Sequence, residues 1–239
     1  MITLKDLKHY YDDVYYAPGQ KISRKLEDYR VFVEYLHPKG GSTILDVSCG
    51  NGLLLKAAET YYGLDTYGVD LSEKAISEAV KNTKSSKVQV ANGEDLPYKD
   101  NSFDYVTNLG SLEHYLNPEK GLHEITRVCK PDGKLCIVLP NYYFLLNIIY
   151  ALFKGDHLKG FQQINERVEP LKRWLQFLKK EDLIVEKIYQ DKGDKQPSIF
   201  EHRNIIKMAR RAVKKVILAL TPLNLTYQFV FICRKAKSS

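Results

Sequence analysis

Ile44-Leu45-Asp46-Val47-Ser48-Cys49-Gly50-Asn51-Gly52 is a short apolar run that breaks into a glycine-containing turn and then into Leu53-Leu54-Leu55, where a helical pattern begins. A buried strand feeding a glycine turn and a helix opens a βαβ unit. Glycine lets the backbone turn sharply and lets a ligand approach the main chain closely. The N–H groups at the start of the helix, which have no partner inside it, then face that ligand. Asp70 lies 18 residues beyond Gly52 in Gly68-Val69-Asp70-Leu71-Ser72, at the end of the next apolar run. A carboxylate at that place accepts hydrogen bonds from both hydroxyls of a ribose; as a bare local feature it also serves as a helix cap for the segment from Ser72. Glycine turn and acidic strand end together indicate a nucleoside site at the carboxyl edge of a parallel sheet.

Outward from this stretch the same rhythm repeats. Strands are predicted at 43–47, 66–69, 87–91, 103–108 and 134–139, with helices at 53–62, 73–82 and 118–129 between them. Strands alternating with helices make an α/β domain whose sheet is covered on both faces. Pro131-Asp132-Gly133 supplies a turn before the fifth strand, and Pro140-Asn141 stops it. Beyond residue 140 the pattern changes to helices at 142–153 and 166–180, a strand at 183–189, a long helix at 200–220 and a last strand at 227–234. Residues 1–40 are helix-rich and carry a tyrosine cluster, Tyr10, Tyr11, Tyr15 and Tyr16.

With 239 residues, 44% hydrophobic and 27% charged, the chain has the size and composition of one domain with a sizeable core. No run approaches the roughly 20 apolar residues that span a bilayer. Met1 to Tyr10 alternates apolar residues with Lys and Asp, unlike a secretory leader, and the four cysteines show neither C-x-x-C spacing nor a disulfide framework. A cytoplasmic location is the expectation. The net charge of +7 is uneven: residues 154–239 hold 19 Lys/Arg against 9 Asp/Glu. In the helix at 200–220, Arg203, Lys207, Arg210, Arg211 and Lys214 share one face, and Ile205, Ala209, Ala212, Val213, Val216, Ile217 and Leu220 fall on another. Such a helix packs on a sheet with a solvated basic face, or contacts a membrane surface, nucleic acid or an anionic acceptor.

The chemistry of the glycine turn separates two nucleoside ligands. A dinucleotide fingerprint requires a third glycine, and position 55 is Leu. Asp46 would repel a pyrophosphate, whereas it suits the cationic α-amino group of a methionine moiety. S-adenosylmethionine (SAM) is favoured over NAD.

The segment resembles motif I of the class I SAM-dependent methyltransferases, of the small-molecule, methyltransferase type 11-like kind. Val90-Ala91-Asn92-Gly93-Glu94-Asp95-Leu96-Pro97-Tyr98 with Asn101-Ser102-Phe103-Asp104-Tyr105-Val106 is similar to that family's adenine-binding region and fourth strand. Gly110-Ser111-Leu112-Glu113-His114-Tyr115 and Glu124-Ile125-Thr126-Arg127-Val128-Cys129-Lys130-Pro131-Asp132-Gly133 resemble its next two landmarks. The match covers about residues 40–140 in family order. It implies a Rossmann-like, seven-stranded, mostly parallel sheet with helices on both faces and a helical cap. The division expected is a helical lid at 1–40, a SAM-binding core at 41–140, a helical cap insertion at 141–182, and C-terminal strands with the basic helix at 183–239. The resemblance assigns the methionine end to Asp46 and the turn Ser48, Gly50 and Gly52, the ribose to Asp70, and the adenine to Leu71, Asn92 and Gly93, with Asn108 on the same side. Ser48 stands where the family usually has glycine, and Asn92 where it frequently has Asp.

SAM carries an activated methyl group, so the protein's task is to align a nucleophile with it, leaving S-adenosylhomocysteine. His114, after the fourth strand on the ligand-bearing edge, is the candidate general base; it serves equally as a loop histidine bonded to backbone. Glu113 either orients His114 or is a plain helix-entry carboxylate. Some members place a metal beside such a Glu-His pair with another Glu three positions earlier; that position is Gly110, so no metal is expected. Asn108-Leu109-Gly110-Ser111 lacks the Asn-Pro-Pro-aromatic sequence of amino-group methylation on nucleic-acid bases. Tyr142, Tyr143, Phe144 and Trp174 are candidates for an acceptor pocket, or equally for core packing of cap helices. The function expected is methyl transfer to a small apolar or anionic acceptor at oxygen. RNA or protein methylation and non-catalytic SAM binding are the alternatives.

Overall fold

Side chains alternate across a strand, so a strand covered on both faces feeds two cores in turn. This alternation organises the computed structural model, which describes residues 2–17, 24–156, 164–191, 216 and 220–236. The strands are β1 (Thr43–Val47), β2 (Asp65–Asp70), β3 (Lys87–Val90), β4 (Phe103–Leu109), β5 (Cys129–Pro140), β6 (Leu183–Asp191) and β7 (Gln228–Lys235). They form one seven-stranded sheet in the order β3-β2-β1-β4-β5-β7-β6. The first five are parallel, and β7 runs antiparallel between β5 and β6. Along β5, Leu135, Ile137 and Leu139 enter one core while Cys136 and Val138 enter the other. Along β7, Phe229, Phe231 and Cys233 alternate in the same way with Val230 and Ile232.

The helices are α1 (Leu4–Tyr10), continued by a π-helical turn at Tyr11–Tyr15, then α2 (Leu26–Tyr35), α3 (Leu53–Tyr62), α4 (Glu73–Asn82), α5 (Pro118–Val128), α6 (Leu145–Lys154) and α7 (Leu171–Lys179). Phe32, Val33 and Leu36 at the end of α2 close one core with Leu54, Leu55 and Ala58 of α3. Leu122, Ile125 and Val128 of α5 close the other with Trp174, Phe177 and Leu178 of α7. Among the described residues, no helix is long and apolar enough to cross a membrane. All four cysteines are buried and free.

Three expectations shift. Pro131-Asp132-Gly133 lies within the span of β5 as an irregularity, for the ladder pairs Phe103 with Cys129 and resumes at Tyr105 with Lys134. The helix predicted at 166–180 starts only at Leu171, because Pro170 holds an extended backbone (φ −72°, ψ 159°) at its N-cap. Trp174 is not an acceptor-pocket residue: it is fully buried in the sheet-facing core, and its indole N–H donates to the Pro140 carbonyl at 2.7 Å. Of the segment 141–182, α7 therefore covers the sheet, while α6 buries no residue and leaves Leu152 and Phe153 exposed. The basic face predicted at 200–220 lies outside the described residues. From its apolar stripe, Val216 and Leu220 are described, and both are exposed.

Candidate functional site

The parallel strands end along one edge, and a cleft opens over it. Asp46, Ser48, Gly50, Asp70, Leu71, Asn92, Gly93 and His114 line this cleft together with Tyr11, Tyr15, Tyr16 and Tyr29. Gly52 and Asn108 stand behind its wall. Gly52 has φ +74°, and a Cβ there would meet the Ala79 Cβ at 2.9 Å, so this glycine lets α3 and α4 approach each other. Asn108 is a brace: its Nδ2 donates to the Val47 carbonyl at 3.0 Å, and its Oδ1 accepts from the Leu112 N–H at 3.0 Å.

Asp46 and Asp70 are two buried carboxylates of the cleft, 4% and 8% exposed, beside Glu94, which lines it too. Thr107, the partner of Asp46 in the β1–β4 register, donates its hydroxyl to Asp46 Oδ1 at 2.6 Å. Asp70 Oδ2 accepts from the Gly50 N–H and Oδ1 from the Ser72 N–H, each at 2.9 Å. The cap of α4 is Ser72, whose Oγ accepts from the Ala75 N–H at 3.1 Å, so Asp70 pins the glycine turn. Burial drives the pKa of Asp46 up to about 7 and that of Asp70 up to about 6, against these hydrogen bonds. Among the described residues, neither carboxylate is paired with a lysine or arginine.

Ser48 sits at φ +63°, a region costing a side-chain-bearing residue roughly 1–2 kcal/mol. Its hydroxyl shares a 2.8 Å hydrogen bond with the Tyr115 hydroxyl, which Asn108 Nδ2 also reaches at 3.2 Å. The Tyr115 ring crosses Gly93 so closely that a Cβ there would fall 2.1 Å from the phenol oxygen. A serine in the glycine turn is thus accommodated by a tyrosine one residue beyond His114. Asn92 Oδ1 accepts from the Glu94 N–H at 3.0 Å, and Glu94 Oε1 in turn accepts from the N–H groups of Leu116 and Asn117.

The tyrosine cluster closes the cleft from above. Rings 10 and 11, 11 and 15, and 15 and 16 meet edge to face at centroid distances of 5.4, 5.7 and 5.1 Å. The π-helical turn is tied to the start of α4, where Asp12 accepts from the Ser72 hydroxyl at 2.6 Å and Asp13 pairs with Lys74 at 2.9 Å.

His114 is 3% exposed, and its Nδ1 lies 3.1 Å from the Ile164 carbonyl oxygen, to which it donates. Nε2 keeps its lone pair, and burial lowers the ring's pKa to about 4. Glu113 is equally buried; burial raises its pKa to about 8, its Oε1 lies 3.9 Å from His114 Nε2, and its Oε2 has no hydrogen-bond partner. Farther along the edge, Arg24 pairs with Asp191, and its Nη2 donates to Gln228 Oε1 at 3.3 Å. Asp191 and Gln228 face each other across β6 and β7. Sequence reading missed Thr107, Tyr115, Arg24 and Gln228. For Thr107 the signal is its register with Asp46; Arg24 and Gln228, 204 residues apart, meet only through the topology.

Residues 45–137 match a family model described as a methyltransferase domain. Demethylmenaquinone methyltransferase of Symbiobacterium thermophilum is 36% identical over 118 residues, covering 46% of this chain and 47% of that protein. Ubiquinone biosynthesis O-methyltransferase of Azoarcus sp. is 37% identical over 126 residues, covering 49% of this chain and 52% of that protein. The chain spans about half the length of these curated relatives. Phosphoethanolamine N-methyltransferase 2 of Haemonchus contortus, solved in complex with S-adenosyl-L-methionine, shares the fold with a TM-score of 0.67 at 18% identity, covering 99% of this chain and 61% of that one.

Proposed function

We propose that this chain is a class I SAM-dependent methyltransferase, as the match of residues 45–137 to a methyltransferase domain supports, and that its cleft binds SAM and directs the methyl group to an oxygen of a small apolar acceptor. The observation that carries this reading is the pair Asp46 and Asp70, two buried carboxylates facing one cleft and, among the described residues, paired with no cationic side chain. Burying unbalanced carboxylates is costly, and a ligand with an ammonium and a sulfonium offsets that cost. The residues fit such a ligand. Asp46 takes the ammonium, Asp70 accepts from the ribose hydroxyls with the lone pairs left beside its two N–H bonds, and Leu71, Asn92 and Gly93 bound the adenine. At Gly50 (φ +53°) a Cβ would meet the Tyr16 hydroxyl at 2.7 Å, so the bare backbone lets Tyr16 close against the glycine turn.

SAM supplies an electrophilic methyl group. The chain's part is to align the acceptor and to manage one proton. His114 lines the cleft and keeps Nε2 as an acceptor because Nδ1–H is committed to the Ile164 carbonyl. A ring with a pKa of about 4 is a weak base, sufficient for a hydroxyl that grows strongly acidic as its oxygen is alkylated. The hydroxyl proton passes to Nε2 as the new O–C bond forms. Leu4, Leu7, Tyr11, Tyr15 and Tyr29 give the cleft an apolar and aromatic lining, which suits an aromatic acceptor. The names of the relatives that act in quinone biosynthesis agree with that choice.

The test is calorimetric titration with SAM and S-adenosylhomocysteine, followed by mass spectrometry of products from SAM and a panel of hydroxyaromatics. Micromolar binding and an O-methyl product are expected. A folded protein that binds neither nucleoside sinks the proposal.

A further inference from the structure

Gly110 follows β4 in the cleft wall at φ +69°, and the volume its missing side chain leaves open has two polar walls. A Cβ at Gly110 would lie 3.4 Å from Gln228 Nε2 and 3.6 Å from Glu113 Oε1. The orientation of the Gln228 amide is fixed from behind: Oε1 accepts from Arg24, Arg24 is held by Asp191, and Nε2 is therefore turned toward Gly110. Glu113 is 2% exposed with an unpartnered Oε2, an arrangement a protein rarely keeps for stability alone. The Arg24 charge is balanced by Asp191, so the groups that flank Gly110, itself a lining residue of the cleft, act as hydrogen-bonding groups.

We propose that Gln228 and Glu113, facing each other across Gly110, form a notch that receives a neutral hydroxyl or keto oxygen of an apolar aromatic acceptor. This rests on the methyltransferase reading above and adds the group by which the acceptor is chosen. An oxygen at the notch meets the Gln228 N–H and the Glu113 carboxyl together, at separations that tighten on binding. With Glu113 neutral at pH 7, its carboxyl donates to a keto oxygen or accepts from a hydroxyl. Among the described residues the one arginine beside the notch, Arg24, is already paired with Asp191, so the notch itself offers neutral hydrogen-bonding groups. Arg24 is a positioning residue acting through the Gln228 amide.

The test uses the full chain saturated with S-adenosylhomocysteine and two probes of one shape, 2-naphthol and 2-methylnaphthalene. A site that hydrogen-bonds the hydroxyl should bind 2-naphthol about tenfold or more tightly than the methyl analogue. Gln228→Glu keeps the Arg24 contact and removes the N–H, so it should abolish most of that preference while leaving the affinity for S-adenosylhomocysteine unchanged. Glu113→Leu should lower the preference, and Glu113→Gln, which retains a donor, should restore it. Arg24→Met should lower the preference in the wild-type background and have no further effect on it beside Gln228→Glu, a non-additivity that a purely structural role would not give. Equal affinities for the two probes, no binding of either, or a preference indifferent to Gln228→Glu overturns the notch while the SAM site stands. Failure to bind S-adenosylhomocysteine overturns the underlying reading instead.

Discussion

The two halves of the cleft are assembled differently. Over β1 and β2 the polar groups are neighbours in sequence and sit on strand ends and the turn after them. Asp46 is held by its cross-strand partner Thr107, and Asp70 by backbone N–H groups of residues 50 and 72. Over β4, β7 and β6 the polar groups come from separate parts of the chain: Arg24 before α2, Glu113 and His114 on the turn after β4, Gln228 opening β7, and Asp191 ending β6. The first half carries charge without a counterion. The second carries neutral donors and acceptors, its one arginine already balanced. A half built from strand ends holds an invariant ligand, whereas one built from scattered pieces can be retuned one residue at a time.

The largest expected effect falls on the charged half. Asp46→Ala should weaken SAM binding about 100-fold, the scale of losing a charge-assisted hydrogen bond in a buried site. Calorimetry checks it, and the same change should leave the folded baseline of the circular dichroism spectrum intact. Gly52→Ala separates wall from scaffold. Because it forces a Cβ against Ala79 at positive φ, it should cost about 2 kcal/mol of stability in a denaturant titration. A change confined to SAM affinity would place Gly52 in the cleft after all.

The halves also separate by pH. Asp46 and Glu113 have folded-state pKa values raised to about 7 and 8, so the folded chain holds protons that the unfolded chain has released. The stability they contribute in protonated form is lost as pH rises through those values. His114, lowered to about 4 from 6.5, acts with the opposite sign but only below about pH 6.5. Between about pH 6.5 and 8.5 the unliganded protein should therefore melt at falling temperature, and Asp46→Asn with Glu113→Gln should flatten that slope. A slope unchanged by both substitutions would remove the two groups from the account. The smallest effect is expected for Tyr115→Phe, which removes the hydroxyl that Ser48 and Asn108 share, at about 1 kcal/mol of stability.

The same division explains what the sequence made legible. The glycine turn, β1, α3 and α4 come out at 43–47, 53–62 and 73–82 because local periodicity and a Ser72 cap determine them. Asp46, Asp70 and the glycine turn are close in sequence, and their strand ends converge in any parallel sheet of this order. At Gly52 the sequence shows a glycine of the turn but not its packing against Ala79, because glycine spacing does not distinguish a turn facing a ligand from one facing another helix. The half over β4, β7 and β6 was hidden, since Arg24 and Gln228 carry no local signal and meet only after β7 inserts between β5 and β6. Trp174 was misplaced for a related reason: a nine-residue helix beginning after Pro170 turns its apolar face to the sheet, and amphipathicity alone does not say which surface will cover it.

The most direct test of the central claim is a titration with SAM near pH 6 in two buffers of different ionisation enthalpy. A cation bound between Asp46 and Asp70 pulls both carboxylates back to the charged state. Binding should therefore release protons, tighten as pH rises from about 5.5 to 7.5, and lose most of its proton release in Asp46→Asn. SAM binding with no proton release and no dependence on Asp46, or no binding by the folded protein, would contradict the account.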